Sequence, residues 1–337
     1  MKHANVACFV PHLGCPHRCS FCNQIEISGK ARVPTPQEAA SAAQQALETP
    51  GFAGHDAEFA FFGGSFTAIG INAMTALLGA VAPYCGVGAG QFRGIRISTR
   101  PDAIDKKILQ ILSGYPVTSI ELGAQSMRDP VLAANGRGHT AADVAAAAAL
   151  IRAGGFELGL QMMTGLYTDH DEGALETAHA LCALGPATVR IYPTLVLRGT
   201  ELERLYRAGL YRPQTLDEAT SLCAGLLELF TARGVRVIRL GLHVTRSLEE
   251  SFVAGPMHPA FRELCEGRIY YRIARSLLAA RSHGGSATLE VSPSAISKLA
   301  GQHRCNILAL ERETGTRILI SGCASLKPYE IKLSVEG

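Results

Sequence analysis

Cys15, Cys19 and Cys22, in the run Gly14-Cys15-Pro16-His17-Arg18-Cys19-Ser20-Phe21-Cys22-Asn23, put three thiols on one short segment near the start of a 337-residue chain. Thiolates at C-x3-C-x2-C spacing can hold three irons of a [4Fe–4S] cluster. The fourth iron then has no protein ligand and is open to a small molecule. A structural zinc site wants four closed ligands, usually in paired steps. Cys8, His12 or His17 offers a fourth donor, but no second C-x2-C or H-x3-H pair follows. Ten cysteines are too sparse for a disulfide scaffold, and no signal peptide precedes the triplet, so a reducing, cytoplasmic setting is expected. The other seven cysteines are scattered and read mostly as small buried apolar residues.

Further polar groups fall at the ends of expected strands. Gly63, Gly64 and Ser65 follow one such strand, and glycines there let a ligand approach the backbone. Ser98, Gln125 and Gln161 end or follow others, and Arg137 lies twelve residues beyond Gln125. Arginine suits a carboxylate; amides and hydroxyls suit a sugar. Arg190 and Tyr192 close a sixth strand, where Tyr192 is either a substrate-positioning or electron-relaying group or a core aromatic with a satisfied hydroxyl. His139, in a loop, reads as a surface group.

The elements that must position these groups alternate. Strands are expected at Asn5 to Val10, Glu58 to Phe62, Gly94 to Ser98, Val117 to Leu122, Phe156 to Met163 and Ala187 to Tyr192, with Val235 to Arg239 a candidate seventh. Helices are expected near Asn72 to Val81, Pro101 to Leu112, Ala141 to Ala153, Asp171 to Leu184, Thr200 to Ala208 and Leu216 to Ala232. Such alternation argues for a parallel α/β sheet, either open or closed into a barrel. Hydrophobic residues are 47% and net charge is +3, so bulk charge points to neither nucleic acid nor membrane. No apolar run approaches the roughly 18–20 residues of a membrane span, and no membrane partner is expected.

Composition shifts at Ser282-His283-Gly284-Gly285, which reads as a hinge. Beyond it the expected order is strand (Ala287 to Val291), helix (Ser292 to Leu299), the turn Gly301-Gln302-His303-Arg304, helix (Asn306 to Thr314) and two strands (Thr316 to Ile320, Tyr329 to Leu333). Upstream, Arg268, Arg272 and Arg275 share one helix face, either a solvated charged face or a phosphate-contacting one. The division expected is 1–240, a linking extension 241–284, and 285–337.

The cysteine triplet with Phe21 before its last member is similar to the cluster loop of radical S-adenosylmethionine (SAM) enzymes. That resemblance implies a partial (β/α)6 TIM-type barrel of radical SAM type, with a [4Fe–4S] cluster on Cys15, Cys19 and Cys22. It implies reductive cleavage of SAM to methionine and a 5′-deoxyadenosyl radical, and an electron donor such as flavodoxin or ferredoxin. It also implies SAM contacts at Gly63, Gly64, Ser65, Ser98, Gln125, Arg137 and Gln161; in such a barrel Arg190 and Tyr192, at the end of the sixth strand, are expected to face the mouth as the catalytic candidates. The phrases Glu121-Leu122-Gly123-Ala124-Gln125-Ser126, Arg137-Gly138-His139-Thr140 and Arg190 to Tyr211 resemble the radical SAM part of the Elongator catalytic subunit family, over Asn5 to about Arg212. That family modifies the wobble uridine of tRNA and carries an acetyltransferase domain, for which no segment of sufficient length is present here. The stretch from Gln125 to Arg137 also resembles the oxygen-independent coproporphyrinogen dehydrogenase branch.

The tail resembles a small α+β KH (K-homology) RNA-binding module, with Arg304 where the family's GXXG loop has its second glycine. Residues 285–337 carry six Lys and Arg against five Asp and Glu, a weak electrostatic footprint. The function implied is modification of a nucleotide in tRNA or rRNA, with RNA held by Gly301, Gln302, His303, Arg304, Arg268, Arg272 and Arg275. The alternative is a radical SAM enzyme acting on a small molecule or peptide, the tail serving as a structural cap.

Overall fold

The computed structural model describes residues 4–10, 15, 19–23, 32–86, 91–279 and 285–335. Its chain groups into two compact units, residues 1–215 with 229–257, and residues 216–228 with 258–337. The segment 241–284 is therefore shared: Arg246–Ser251 and Phe252–Ala254 lie in the first unit and Phe261–Ala279 in the second.

The first unit is built on a parallel sheet whose strands succeed one another in space in chain order. These are β1 (Ala4–Val10), β2 (Ala57–Gly63), β3 (Gly94–Thr99), β4 (Val117–Gln125), β5 (Glu157–Thr164), β6 (Thr188–Pro193) and, after a short β7 (Val196–Leu197), β8 (Arg236–Leu240). β7 pairs antiparallel with a short β9 (Phe252–Ala254) outside this sheet. Every neighbouring pair among the seven is parallel, and β1 and β8 are the two ends of the order. This is the α/β arrangement of a partly curled barrel, and the candidate seventh strand belongs to it. The connecting helices bury apolar faces: Met74, Leu77, Leu78 and Val81 of Ile71–Val81 recur at helical spacing, as do Val144, Ala147, Ala148 and Ile151 of Ala141–Ala153. The helix expected from Pro101 starts later, at Lys106–Leu112. Asp105 accepts from the Ile108 N–H and so sets the start, while Pro101–Ala103 is a separate 3-10 turn.

One face of this sheet carries charge where a core would be apolar. Arg96 is fully buried; its Nε donates to Glu58 at 2.8 Å and its Nη2 to Glu157 at 2.9 Å. Ser119 and Thr118 donate to the other Glu58 oxygen at 2.6 and 2.8 Å. Gly159 gives the guanidinium room, because a Cβ there would lie 3.1 Å from Arg96 Nη1. These residues sit near the amino ends of β2 to β6, opposite to the strand ends that carry the candidate site.

In the second unit β10 (Ser286–Val291) is central, parallel to β11 (Arg317–Gly322) and antiparallel to β12 (Lys332–Val335). Helices Ile296–Ala300 and Cys305–Thr314 lie between β10 and β11 in sequence, and Phe261–Ala279 precedes them. Tyr270, Ala274, Leu278, Leu289, Leu299, Ile307 and Leu310 form one buried core. The result is a small α+β module with the expected element order. Of the expected hinge only Gly285 lies among the described residues.

Burial raises the Glu58 carboxyl's cost of ionising, but Arg96 and the Ser119 and Arg93 contacts overcome this and lower its pKa from 4.5 to about 2. A depressed native value contributes stability above the unfolded pKa and loses it as pH falls through the native one. Unfolding stability is therefore expected to decline between about pH 4.5 and pH 2. Glu58→Gln should remove that part of the slope in pH-dependent urea denaturation. Arg96→Met, which leaves Glu58 and Glu157 with only the partly exposed Arg93 as cation at 3.0 and 3.8 Å, should cost about 3 kcal/mol at neutral pH in the same assay.

Candidate active site

Cys15 and Cys19 to Asn23, the described residues of the cysteine segment, lie in no helix or strand, and contacts with distant residues hold them. Ser20 N–H donates to the Asn135 carbonyl at 3.0 Å, and Ser20 Oγ donates to Asn135 Oδ1 at 2.7 Å. The Asn135 amide in turn donates to the carbonyls of Val131 at 2.8 Å and Tyr167 at 2.9 Å. Leu202 N–H reaches the Ser20 carbonyl at 2.8 Å, and Asn23 Nδ2 the Arg198 carbonyl at 3.2 Å. Phe21 is buried among Val131, Met163, Leu166, Val196, Leu202, Leu205 and Tyr211. The aromatic before the last cysteine thus anchors the loop in the core, with Cys19 and Cys22 packed beside it. Asn135 is fully buried with both ends of its amide used, and its sequence context gives no sign of it.

Cys15, Cys19 and Cys22 are partly exposed and in no disulfide among the described residues. Burial pushes the Cys15 thiol up, opposed by the Arg100 and Arg137 guanidinium groups and a hydrogen bond from the Ser65 backbone; Cys19 is near enough to add to the rise. Cys22 N–H donates to the Cys19 carbonyl at 3.1 Å, so those two share a turn. Among the described residues no three ligating side chains converge at metal distances. His12 and His17 lie outside the described residues.

The glycine pair after β2 borders this loop. Gly63 has φ +112°, and a Cβ there would sit 2.8 Å from the Val10 carbonyl. Gly64 N–H donates to that same carbonyl at 2.6 Å. The Ser65 hydroxyl is turned away, bonded to Thr99 Oγ1 at 2.8 Å and accepting from the Arg100 N–H at 3.2 Å. Ser65 therefore offers the cysteines backbone rather than side chain.

Arg137 Nη1 lies 3.2 Å from Cys19 Sγ as donor, and Nη2 donates to the Gly123 carbonyl at 2.6 Å. Its buried Nε has no partner. Gln161 Nε2 donates to Gln125 Oε1 at 3.2 Å, and Gln125 holds the left-handed backbone, φ 66°, at the register shift between β4 and β5. Below them Ser98 Oγ donates to Glu121 Oε1 at 2.9 Å. Glu121 pairs with Arg190 at 2.6 Å, Arg190 lies over the Phe62 ring at 4.1 Å and its Nη1 donates to the Tyr192 hydroxyl at 3.3 Å. The structure thus brings Cys19 and Arg137 together, and Gln125 and Gln161. It joins Ser98, Arg190 and Tyr192 through Glu121, which sequence reasoning missed although it alternates with Ser119 and Gly123 along β4. His139 corrects an expectation: it is buried, its Nε2 against the Ala124 carbonyl at 3.2 Å, and burial pushes its pKa down to about 4.

In the second unit, Gly301 has φ 73°, and a Cβ there would lie 2.7 Å from Cys305 Sγ. His303 and Arg304 are left-handed at φ 51° and 61°, so Arg304 holds a conformation that suits glycine. Arg268, Arg272 and Arg275 are paired with Asp217, Glu228 and Glu313 respectively. Their carboxylates come from sequence positions far enough away that the helix face alone reads as more basic than it is.

Comparison with known proteins bears on the first unit. A family model described as Radical SAM superfamily matches residues 9–181, and one described as Radical_SAM C-terminal domain matches 186–271. Elongator complex protein 3 of Danio rerio is 33% identical over 179 residues, 52% of this chain and 32% of that protein. A tRNA uridine(34) acetyltransferase of Dehalococcoides mccartyi is 30% identical over 173 residues, 50% of this chain and 37% of that protein. The chain thus spans about a third of the length of these relatives. The archaeal Methanocaldococcus infernus Elp3 shares the fold, with a TM-score of 0.63 at 21% identity over 80% of this chain and 63% of that one. No helix among the described residues is long and apolar enough to cross a membrane.

The Asn135 clamp generates a prediction. Asn135→Ala strands the Ser20 hydroxyl and the Tyr167 carbonyl, at about 1–3 kcal/mol for each buried group left unpaired. The variant is expected to retain less than about half the wild-type iron and sulfide after anaerobic reconstitution and desalting, for a loosening of that size.

Proposed function

This chain belongs to the radical SAM superfamily and is an enzyme of that class; from this premise we propose that it modifies a nucleotide in tRNA or rRNA. The observation that carries the reading is the clamped cysteine loop, faced by Arg137 and the Gly63–Gly64 turn, in a sheet similar by sequence to Elongator complex protein 3.

The donor set fits the group the superfamily implies: three thiols on one loop, a backbone donor at Ser65, and a guanidinium with an unpartnered buried nitrogen. When bound by Cys15, Cys19 and Cys22, a [4Fe–4S] cluster supplies the electron that splits SAM into methionine and a 5′-deoxyadenosyl radical. The backbone at Gly63, Gly64 and Ser65 would receive the amino group of SAM. Arg137 Nε would receive its carboxylate, the strongest partner open to an unpaired guanidinium. Gln125, Gln161 and Ser98 would serve the ribose. Arg190 and Tyr192, fixed by Glu121 and Phe62, would face substrate. The catalytic barrel would occupy 1–240, the extension 241–284 would follow, and a KH-like module from 285 would hold RNA. There Arg304, exposed at the uncapped start of helix Cys305–Thr314, is the best-placed phosphate partner. Flavodoxin or ferredoxin would deliver the electron.

The pairing of Arg268, Arg272 and Arg275 with carboxylates favours a second reading, a small-molecule or peptide substrate with the module as a cap. One measurement tests the enzyme class shared by both readings and a second decides between them. Anaerobic protein given SAM and dithionite should release 5′-deoxyadenosine, and Cys19→Ala should abolish it. Nucleoside mass spectrometry of RNA from cells with and without the gene should show one nucleoside missing; an identical profile supports the second reading. Arg304→Glu should weaken RNA binding about tenfold and lower the salt slope by about one.

A further inference from the structure

Three arginines on the inner face of the first unit meet different partners. Arg96 is matched by Glu58 and Glu157, and Arg190 by Glu121. Arg137 faces sulfur and a backbone carbonyl, and no carboxylate lies within ion-pair distance among the described residues. Its neighbour Arg100 is neutralised by Asp102, with Nε donating to Oδ1 at 2.9 Å. Among the described residues, Arg137 is thus a cation with no carboxylate partner that reaches the cysteines, with Nη1 3.2 Å from Cys19 Sγ.

A guanidinium N–H aimed at a cysteine sulfur stabilises negative charge on it, and the partly dry surroundings strengthen the effect. One-electron reduction adds one negative charge to a cluster held by that sulfur. A donor or cation that stabilises the added charge favours the reduced form and raises the potential; hydrogen bonds to the sulfurs are among the protein's main means of setting it.

We propose that Arg137 sets the reduction potential of the cluster carried by Cys15, Cys19 and Cys22, through its hydrogen bond to Cys19 Sγ, independently of any contact with SAM. This rests on the radical SAM reading. It makes Arg137 a tuning residue for electron entry as well as a ligand for the cosubstrate.

The test is an EPR-monitored redox titration, with titanium(III) citrate as reductant and no SAM present, on anaerobically reconstituted wild type, Arg137→Lys and Arg137→Gln. Iron and sulfide are counted in each. Removing the guanidinium and its charge should shift Arg137→Gln to a more negative midpoint, with about a tenfold lower ratio of reduced to oxidised cluster at the wild-type midpoint (about 59 mV for one electron). Arg137→Lys, which keeps the charge, should fall between. A cluster-loaded Arg137→Gln with an unmoved midpoint overturns the inference alone and leaves Arg137 as a SAM ligand only. Loss of the cluster in both variants also overturns it, in favour of a role in holding the loop. A wild type that assembles no reducible cluster overturns this inference and the superfamily reading together.

Discussion

A guanidinium inside a folded sheet must find negative charge or hydrogen-bond acceptors, since its desolvation is otherwise prohibitive. The first unit applies that constraint at successive levels of its inner face. Arg96 is answered by two glutamates near the amino ends of the strands, and Arg190 by Glu121 and the face of Phe62 one level up. Arg137, nearest the cysteines, is answered by a thiol and a carbonyl and keeps one nitrogen spare. The two lower levels are ion-paired. The uppermost is open, and the open nitrogen lies beside the thiols.

The loop that bears the thiols depends on the same scaffold without being part of it. Chain segments more than a hundred residues away hold it: Asn135 from beyond β4, and Leu202 and Arg198 from beyond β6. The Ser20 contact joins the loop to Asn135, two residues before Arg137, and Phe21 packs with Met163 of β5, the strand of Gln161. Beyond the local turn from Cys19 to Cys22, the described residues of the motif are thus positioned by distant parts of the chain.

The strands were legible because a buried parallel strand writes itself as a short apolar run, and the residues at its carboxyl end as glycine or an isolated polar group. The helices Ala141–Ala153 and Leu216–Ala232 stand where their patterns put them, because capping and apolar spacing are local. What was not legible is long-range. Glu121 looks like any strand glutamate until Arg190 is placed beside it. Asn135 looks like a turn residue until Ser20 arrives from 115 positions away. His139 looks solvent-facing until β4 covers it. Arg268, Arg272 and Arg275 look like a basic stripe until three carboxylates, 38 to 51 positions distant, close on them.

Gln125 shows what such a site asks of a polypeptide. Glycine would adopt its φ of 66° without steric penalty, whereas a side chain there costs of order 1–3 kcal/mol. The carboxamide that meets Gln161 exists only because that penalty is tolerated, so folding and chemistry draw this position in opposite directions. A sequence optimised for thermal robustness would drift toward glycine at 125 and forfeit the amide. Resistance to that drift, visible as glutamine persisting against the local conformational preference, would mark lineages in which the pocket is still in use.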